Sequence, residues 1–203
     1  MKAESIVFAL VGAFFGLIVG WVLGTQQATS SRAVAAASAP SVQQASAPAK
    51  TVDEDQVASL RAEIQRDPNS VQPRVALGNL YYDADRFDEA AKWYEEALKL
   101  DPRDVNVRTD LGVSYYNLGQ PDKALQQLDR SLSIDPKHTK TLLNQGMVRA
   151  FGKQDLDGAA ASWQKVIDLA PDSPEGQRAK QLLDGLKSAH PGGGVSAPAP
   201  RGQ

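Results

Sequence analysis

The chain has no cysteine, which excludes disulfide frameworks, thiolate zinc sites, iron–sulfur clusters and cysteine nucleophiles. Histidine is nearly as scarce, with only His138 and His190, so no histidine-built metal centre is expected. Aromatic residues make up 6 % of the chain, and the apolar share of 42 % leans on alanine, a composition that favours close helix packing over a β core. There is no surplus of positive charge: 22 Lys and Arg face 24 Asp and Glu, for a net charge of −2, and nothing supplies a field for wrapping nucleic acid. No glycine-rich phosphate loop, HExxH run or GxSxG elbow is present, so no catalytic, cofactor-binding or metal-binding residue is expected and the chain does not read as an enzyme. Its 203 residues leave room for one domain with extensions or a short repeat array.

Charge is absent altogether from one stretch near the start. After a short flank at residues 1–4, residues 5–24 hold fifteen apolar side chains, four glycines and one serine. As a helix they would measure roughly 30 Å, the thickness of a bilayer's hydrocarbon core. This predicts an uncleaved, single-pass transmembrane helix in preference to a secretory signal, for which Ala33-Val34-Ala35 would lie well downstream. Lys2 and the α-amino group, partly offset by Glu4, lean the amino terminus inward, which places the rest of the chain in the periplasm at a bacterial inner membrane. Gly12, Gly16, Gly20 and Gly24 fall on one side of that helix, a small-residue stripe that predicts a homodimer through the anchor. Residues 25–50 are Ala, Ser, Gln, Thr, Val and Pro with only Arg32 and Lys50 charged, and predict a disordered tether of about 25 to 30 Å. Residues 189–203, with Gly192-Gly193-Gly194 and alternating Ala and Pro, predict a disordered tail that includes His190.

Between these segments the chain repeats. Pro68, Pro102 and Pro136 are spaced by 34 residues and Pro171 follows after 35, each ending an amphipathic helical pattern. Aligned on the prolines, the first unit shows Leu77-Gly78, Tyr81, Ala90, Tyr94, Ala97 and Pro102. The second shows Leu111-Gly112, Tyr115, Ala124, Leu128, Ser131 and Pro136. A helix-interior glycine costs about 1 kcal/mol relative to alanine, so its recurrence at one phase implies that two helices approach closely there. These residues resemble the tetratricopeptide repeat, whose pattern of about 34 residues places Leu-Gly, Tyr, Ala, an aromatic and Pro at those offsets.

The resemblance implies an all-α solenoid over residues 53–188, with repeats at about 71–104, 105–138 and 139–173. A lone helix over residues 53–66 precedes them and a capping helix over residues 174–188 follows. The third unit is irregular: Gln145-Gly146 stands for Leu-Gly, Arg149 for the tyrosine, and the extra residue is expected between Gly152 and Gly158. The pattern then recovers with Ala159, Trp163 and Val166. Acidic residues outnumber basic ones 23 to 18 over residues 53–188, which disfavours polyanionic partners.

In this family the first helices of successive repeats line a concave groove that binds another protein or an extended peptide. Carried over by position, the groove would present Gln72, Val75, Asn79, Tyr82 and Asp83 from the first repeat and Asn106, Thr109, Val113, Tyr116 and Asn117 from the second. The third would add Lys140, Leu143, Met147, Ala150 and Phe151. Asparagines can bind a peptide backbone as donor and acceptor together, and the aromatics and methionine offer apolar area. Some members clamp a terminal carboxylate; Asn79 and Lys140 match that clamp, whereas Val75, Asp110 and Asn144 depart from it. Trp163-Gln164-Lys165 and the segment Ala170 to Glu175 resemble the last repeat of anchored tetratricopeptide proteins that hold apocytochrome during cytochrome c maturation. The function these features imply is a membrane-anchored scaffold for assembling or maturing an envelope complex; the alternatives are an accessory subunit of cytochrome c maturation and, behind it, a subunit of an enzyme complex.

Overall fold

Residues 50–189 are described by a computed structural model of the chain; the predicted anchor, its glycine stripe, nearly all of the tether and the tail lie outside them. The described residues form eight α-helices and no strand. They are α1 (Glu54–Arg66), α2 (Gln72–Asp83), α3 (Phe87–Leu100), α4 (Val105–Asn117), α5 (Pro121–Ile134), α6 (Thr139–Met147), α7 (Leu156–Leu169) and α8 (Pro174–Ala189). None of these is long and apolar enough to cross a membrane. Helices α2/α3, α4/α5 and α6/α7 are the paired units of the three repeats, α1 packs on α2, and α8 packs on α7.

Local chemistry sets the boundaries. Asp53, Asp104 and Asp155 each accept a hydrogen bond from the backbone three residues on, at 3.0, 2.9 and 2.9 Å, and so cap α1, α4 and α7. Pro73 and Pro121 sit in the first turn of α2 and α5, where a missing N–H costs nothing. The Asp-Pro pairs between units make one recurring turn: Asp67, Asp101 and Asp135 accept from the N–H of Asn69, Arg103 and Lys137 at 3.0, 3.0 and 2.9 Å.

Within each unit the two helices are joined through a left-handed residue. Asp85 (φ 59°), Gly119 (φ 72°) and Gln154 (φ 56°) occupy it in turn. The next N–H closes the motif by bonding five residues back, Arg86 to Tyr81 O at 2.8 Å and Gln120 to Tyr115 O at 2.9 Å. In the third unit the corresponding bond runs six residues back, from Asp155 to Arg149 O at 2.8 Å. The extra residue therefore lies inside the first helix, where Val148–Gly152 form a π-helical turn, and the connection keeps its standard form. This corrects the placement of the insertion after Gly152.

The repeating glycines are contact points between paired helices. A Cβ at Gly78 would meet Tyr94 Cδ1 at 2.6 Å, one at Gly112 would meet Leu128 at 3.0 Å, and one at Gly146 would meet Trp163 Cδ1 at 2.5 Å. Tyr94, Leu128 and Trp163 are themselves buried, so each unit fits one glycine to one large side chain. Apolar clusters run along the stack, joining α1 through α4 at one end and α6 through α8 at the other. Between the second and third units a small apolar cluster of Ala124, Leu128 and Val148 lies in the same seam as a buried polar one. Thr109, Ser131 and Thr141 are fully buried, and their hydroxyls lie 2.6 to 3.1 Å apart. The network is satisfied, because Thr109 and Ser131 donate to Val105 O at 2.7 and 3.0 Å and His138 Nδ1 lies 2.5 Å from the Thr141 hydroxyl.

Candidate functional site

Helices α2, α4 and α6, the first of each unit, enclose a cavity of about 480 Å³ together with the tyrosine of α3. Its lining is Asn79, Tyr82, Asp83, Tyr94, Asp110, Val113, Lys140 and Asn144. Tyr94 rises from α3 beside Gly78, and because that glycine has no side chain the ring passes through to the cavity, where its hydroxyl donates to Asn79 Oδ1 at 2.7 Å. Burial, with the carboxylates of Asp110 and Asp83 adding to it, pushes the Tyr94 phenol well above its ordinary value, so it is a permanent donor. Lys140 Nζ donates to Asp110 Oδ1 at 2.7 Å, tying α6 to α4, and Asn144 Nδ2 donates to Lys140 O at 2.8 Å. Tyr82 packs edge-on against Phe87 at 5.2 Å and accepts at its hydroxyl from Asn117 Nδ2 at 3.2 Å.

Of the residues the sequence nominated, Asn79, Tyr82, Asp83, Val113 and Lys140 meet at this cavity. Thr109 does not: it is fully buried in the hydroxyl cluster between units. Val75 and Leu143, at the same repeat position as Thr109, are half-buried against the two apolar clusters, so that position faces the core in all three units. Met147 packs against the core of the third unit and Ala150 is buried. Gln72 and Asn106 are exposed at the first turns of α2 and α4, away from the cavity. Tyr116 packs where the π-helical turn crosses it, 3.2 Å from where a Cβ of Gly152 would stand. Phe151, on that turn, is 63 % exposed.

Asp110, Asn144 and Tyr94 complete the cavity and were not among the groove nominees. The signal for the first two was present, because both fall at positions where the clamp comparison had placed them. That comparison is resolved by the ion pair: the lysine that would meet a terminal carboxylate is already held by a carboxylate of the chain. Outside the groove, Tyr81 is buried under Arg86, whose guanidinium lies 4.7 Å from the ring centroid. Tyr115 is half-buried and its hydroxyl donates to Glu95; burial and that bond push its phenol up to about 12.

Three family models match the chain, one described as TPR repeat over residues 78–119 and two as Tetratricopeptide repeat over residues 106–138 and 140–173. Among solved structures, the crystal structure of MamA is 19 % identical with a TM-score of 0.60, covering 66 % of this chain and 77 % of that one. The first TPR domain of human RPAP3 is 24 % identical with a TM-score of 0.55, covering 60 % and 93 %. The first TPR of Spaghetti (RPAP3), solved bound to the HSP90 peptide SRMEEVD, is 22 % identical with a TM-score of 0.51, covering 68 % and 95 %. No curated protein matches the sequence. At these identities the structural likeness is one of fold.

Proposed function

Since this chain is a tetratricopeptide-repeat protein, we propose that it is a membrane-tethered scaffold which holds an extended segment of another protein in the cavity between α2, α4 and α6 and performs no chemistry on it. The observation that carries this reading is the convergence of side chains from three successive units on one cavity of about 480 Å³. That volume suits a few residues of a peptide, and two asparagines beside two tyrosine rings offer both backbone hydrogen bonding and apolar contact. A related domain solved with a peptide bound supports the same use of the fold.

The uncharged residues 5–24 support anchoring, and the charges flanking them support an envelope location for the domain. Retention in the membrane fraction after carbonate washing, with the tether cleaved by protease added outside spheroplasts, is the expected behaviour. Release as soluble protein, or full protection of the tether, would contradict it. The narrower assignment to cytochrome c maturation draws on residues with packing duties: Trp163 fills the space over Gly146, and Ser173 caps α8 by accepting from Gly176 N–H at 3.0 Å. These duties would exist whatever the client, so that assignment gains no support from them.

The test is a crosslinking capture from membranes with the full chain, Val113→Arg and Gln126→Arg. Val113 lines the cavity and is half-buried, while Gln126 is exposed on α5 away from it. A protein captured by the wild type and by Gln126→Arg, and lost with Val113→Arg, is the expected result. Equal capture by all three would move the binding surface elsewhere.

A further inference from the structure

We propose that the cavity between α2, α4 and α6 selects a cationic group, the ammonium of a lysine or the guanidinium of an arginine on the bound segment. This deepens the groove reading above and rests on it. The lining holds two carboxylates, Asp83 and Asp110, and one cation, Lys140. That cation is spent on Asp110 at 2.7 Å, while Asp83 has no ion-pair partner among the described residues. The cavity therefore offers a net negative charge to whatever enters.

The neutral groups around it favour the same ligand. Asn144 spends an amide N–H on Lys140 O, which leaves its Oδ1 free of any protein donor among the described residues. Tyr82 contributes an aromatic ring beside Asp83, and a ring together with a carboxylate is a favourable setting for a cation. The one cation a carboxylate ligand would need is committed to Asp110, and the Tyr94 hydroxyl is given to Asn79, so only neutral amide N–H groups of Asn79 and Asn144 are left to meet a carboxylate. A terminal carboxylate would enter beside Asp110 and have to draw Lys140 away from it. The excess of acidic over basic residues across residues 53–188 extends the preference outward, because it attracts basic segments and repels acidic ones during encounter.

The experiment probes the full chain in detergent against immobilised random peptides, each made in matched lysine, norleucine and glutamate versions, and measures the best binders by fluorescence anisotropy at low and moderate salt. The lysine versions should dominate, norleucine should weaken binding about fivefold to tenfold, and added salt should narrow that gap. Asp83→Asn should remove most of the preference for lysine over norleucine while leaving the norleucine peptides' affinity unchanged. Asp110→Asn, which releases Lys140, should do the same and also raise affinity for glutamate versions. Melting curves of both variants should match the wild type, since both carboxylates reach solvent. Binders that prefer glutamate, or lysine and norleucine versions that bind alike, would overturn the cation preference while leaving the groove reading intact, provided Val113→Arg still abolishes their binding. Binders that Val113→Arg leaves untouched, or no binders of any charge, would overturn the groove reading and the cation preference with it.

Discussion

The first and third helix pairs follow the same repeat template and reach it by different means. In the first, Gly78 meets Tyr94, the joining residue is Asp85, and the ring emerges into the cavity. In the third, Gly146 meets Trp163, whose indole N–H stays inside and donates to Leu143 O at 3.2 Å, and the helix carries one residue more. That residue is absorbed as a π-helical turn, so the connection to α7 keeps its left-handed residue and its closing bond. Arg149, where the first two units have tyrosine, bonds across the pair to Gly158 O and the Ser162 hydroxyl at 3.2 and 3.1 Å. The invariant is thus the closeness of the two helices and the geometry of the turn, and the identity of the filling side chain is free to vary. One consequence concerns the cavity: the first pair gives its large side chain to the lining, and the third keeps its own in the core.

The largest effects should come from adding a methyl where the filler is rigid. Gly78→Ala and Gly146→Ala place a Cβ inside the Tyr94 and Trp163 rings and should cost about 1 to 3 kcal/mol in denaturant unfolding of residues 50–189. The same change at Gly112 meets Leu128 at 3.0 Å and the Ala124 carbonyl at 3.2 Å, tight but not overlapping, so the gain in helix propensity of about 1 kcal/mol should offset much of the strain and leave a smaller loss than at Gly78 or Gly146. Equal losses at all three would dissolve the distinction between rigid and yielding contacts. Thr109→Val comes next: it leaves Ser131 and Thr141 short of a buried partner and should cost about 1 to 2 kcal/mol. Insensitivity there would mean that the hydroxyl cluster does not contribute to holding the second and third units together, which the apolar contact of Leu128 with Val148 would then do alone.

The smallest expected effects test the turns. Nothing lies within 4 Å of a Cβ at Gly119, so Gly119→Ala isolates the left-handed backbone and should cost about 1 kcal/mol. At Asp85 and Gln154, which hold that conformation without being glycine, substitution by glycine relieves the backbone but loosens the unfolded chain, and should change stability by less than about 0.5 kcal/mol. A large loss at Gln154 alone would show that the third turn depends on its side chain.

Much of this was legible in the sequence because the repeat is written twice, in the prolines that end each unit and in the glycines that allow each close contact. The eight helices, with the flanking ones among them, and the close approach of paired helices at Gly78 and Gly112 all follow from that spacing, whereas the side chain that meets each glycine is seen only in the fold. The insertion was legible as a count but not as a place, since a π-helical turn has no residue signature and Val148 to Gly152 reads equally well as helix. Groove membership was only partly legible. Position alone assigned Thr109 to the surface, and a threonine serves as well in a buried hydroxyl cluster as in a groove; only the simultaneous presence of Ser131 and Thr141 decides it. Asp110 was read as a departure from a clamp, and its meaning emerges once Lys140 is seen to be its partner.

The central claim is that the cavity between α2, α4 and α6 is where the partner lies, and site-specific photocrosslinking tests it most directly. A photoreactive residue at Val113, inside the cavity, should capture one defined stretch of a partner in membranes, identified by mass spectrometry as an extended segment carrying lysine or arginine. The same residue at Gln126 should capture none of it. Capture of that stretch from Gln126, or capture of nothing from Val113 while the partner still co-purifies, would contradict the account.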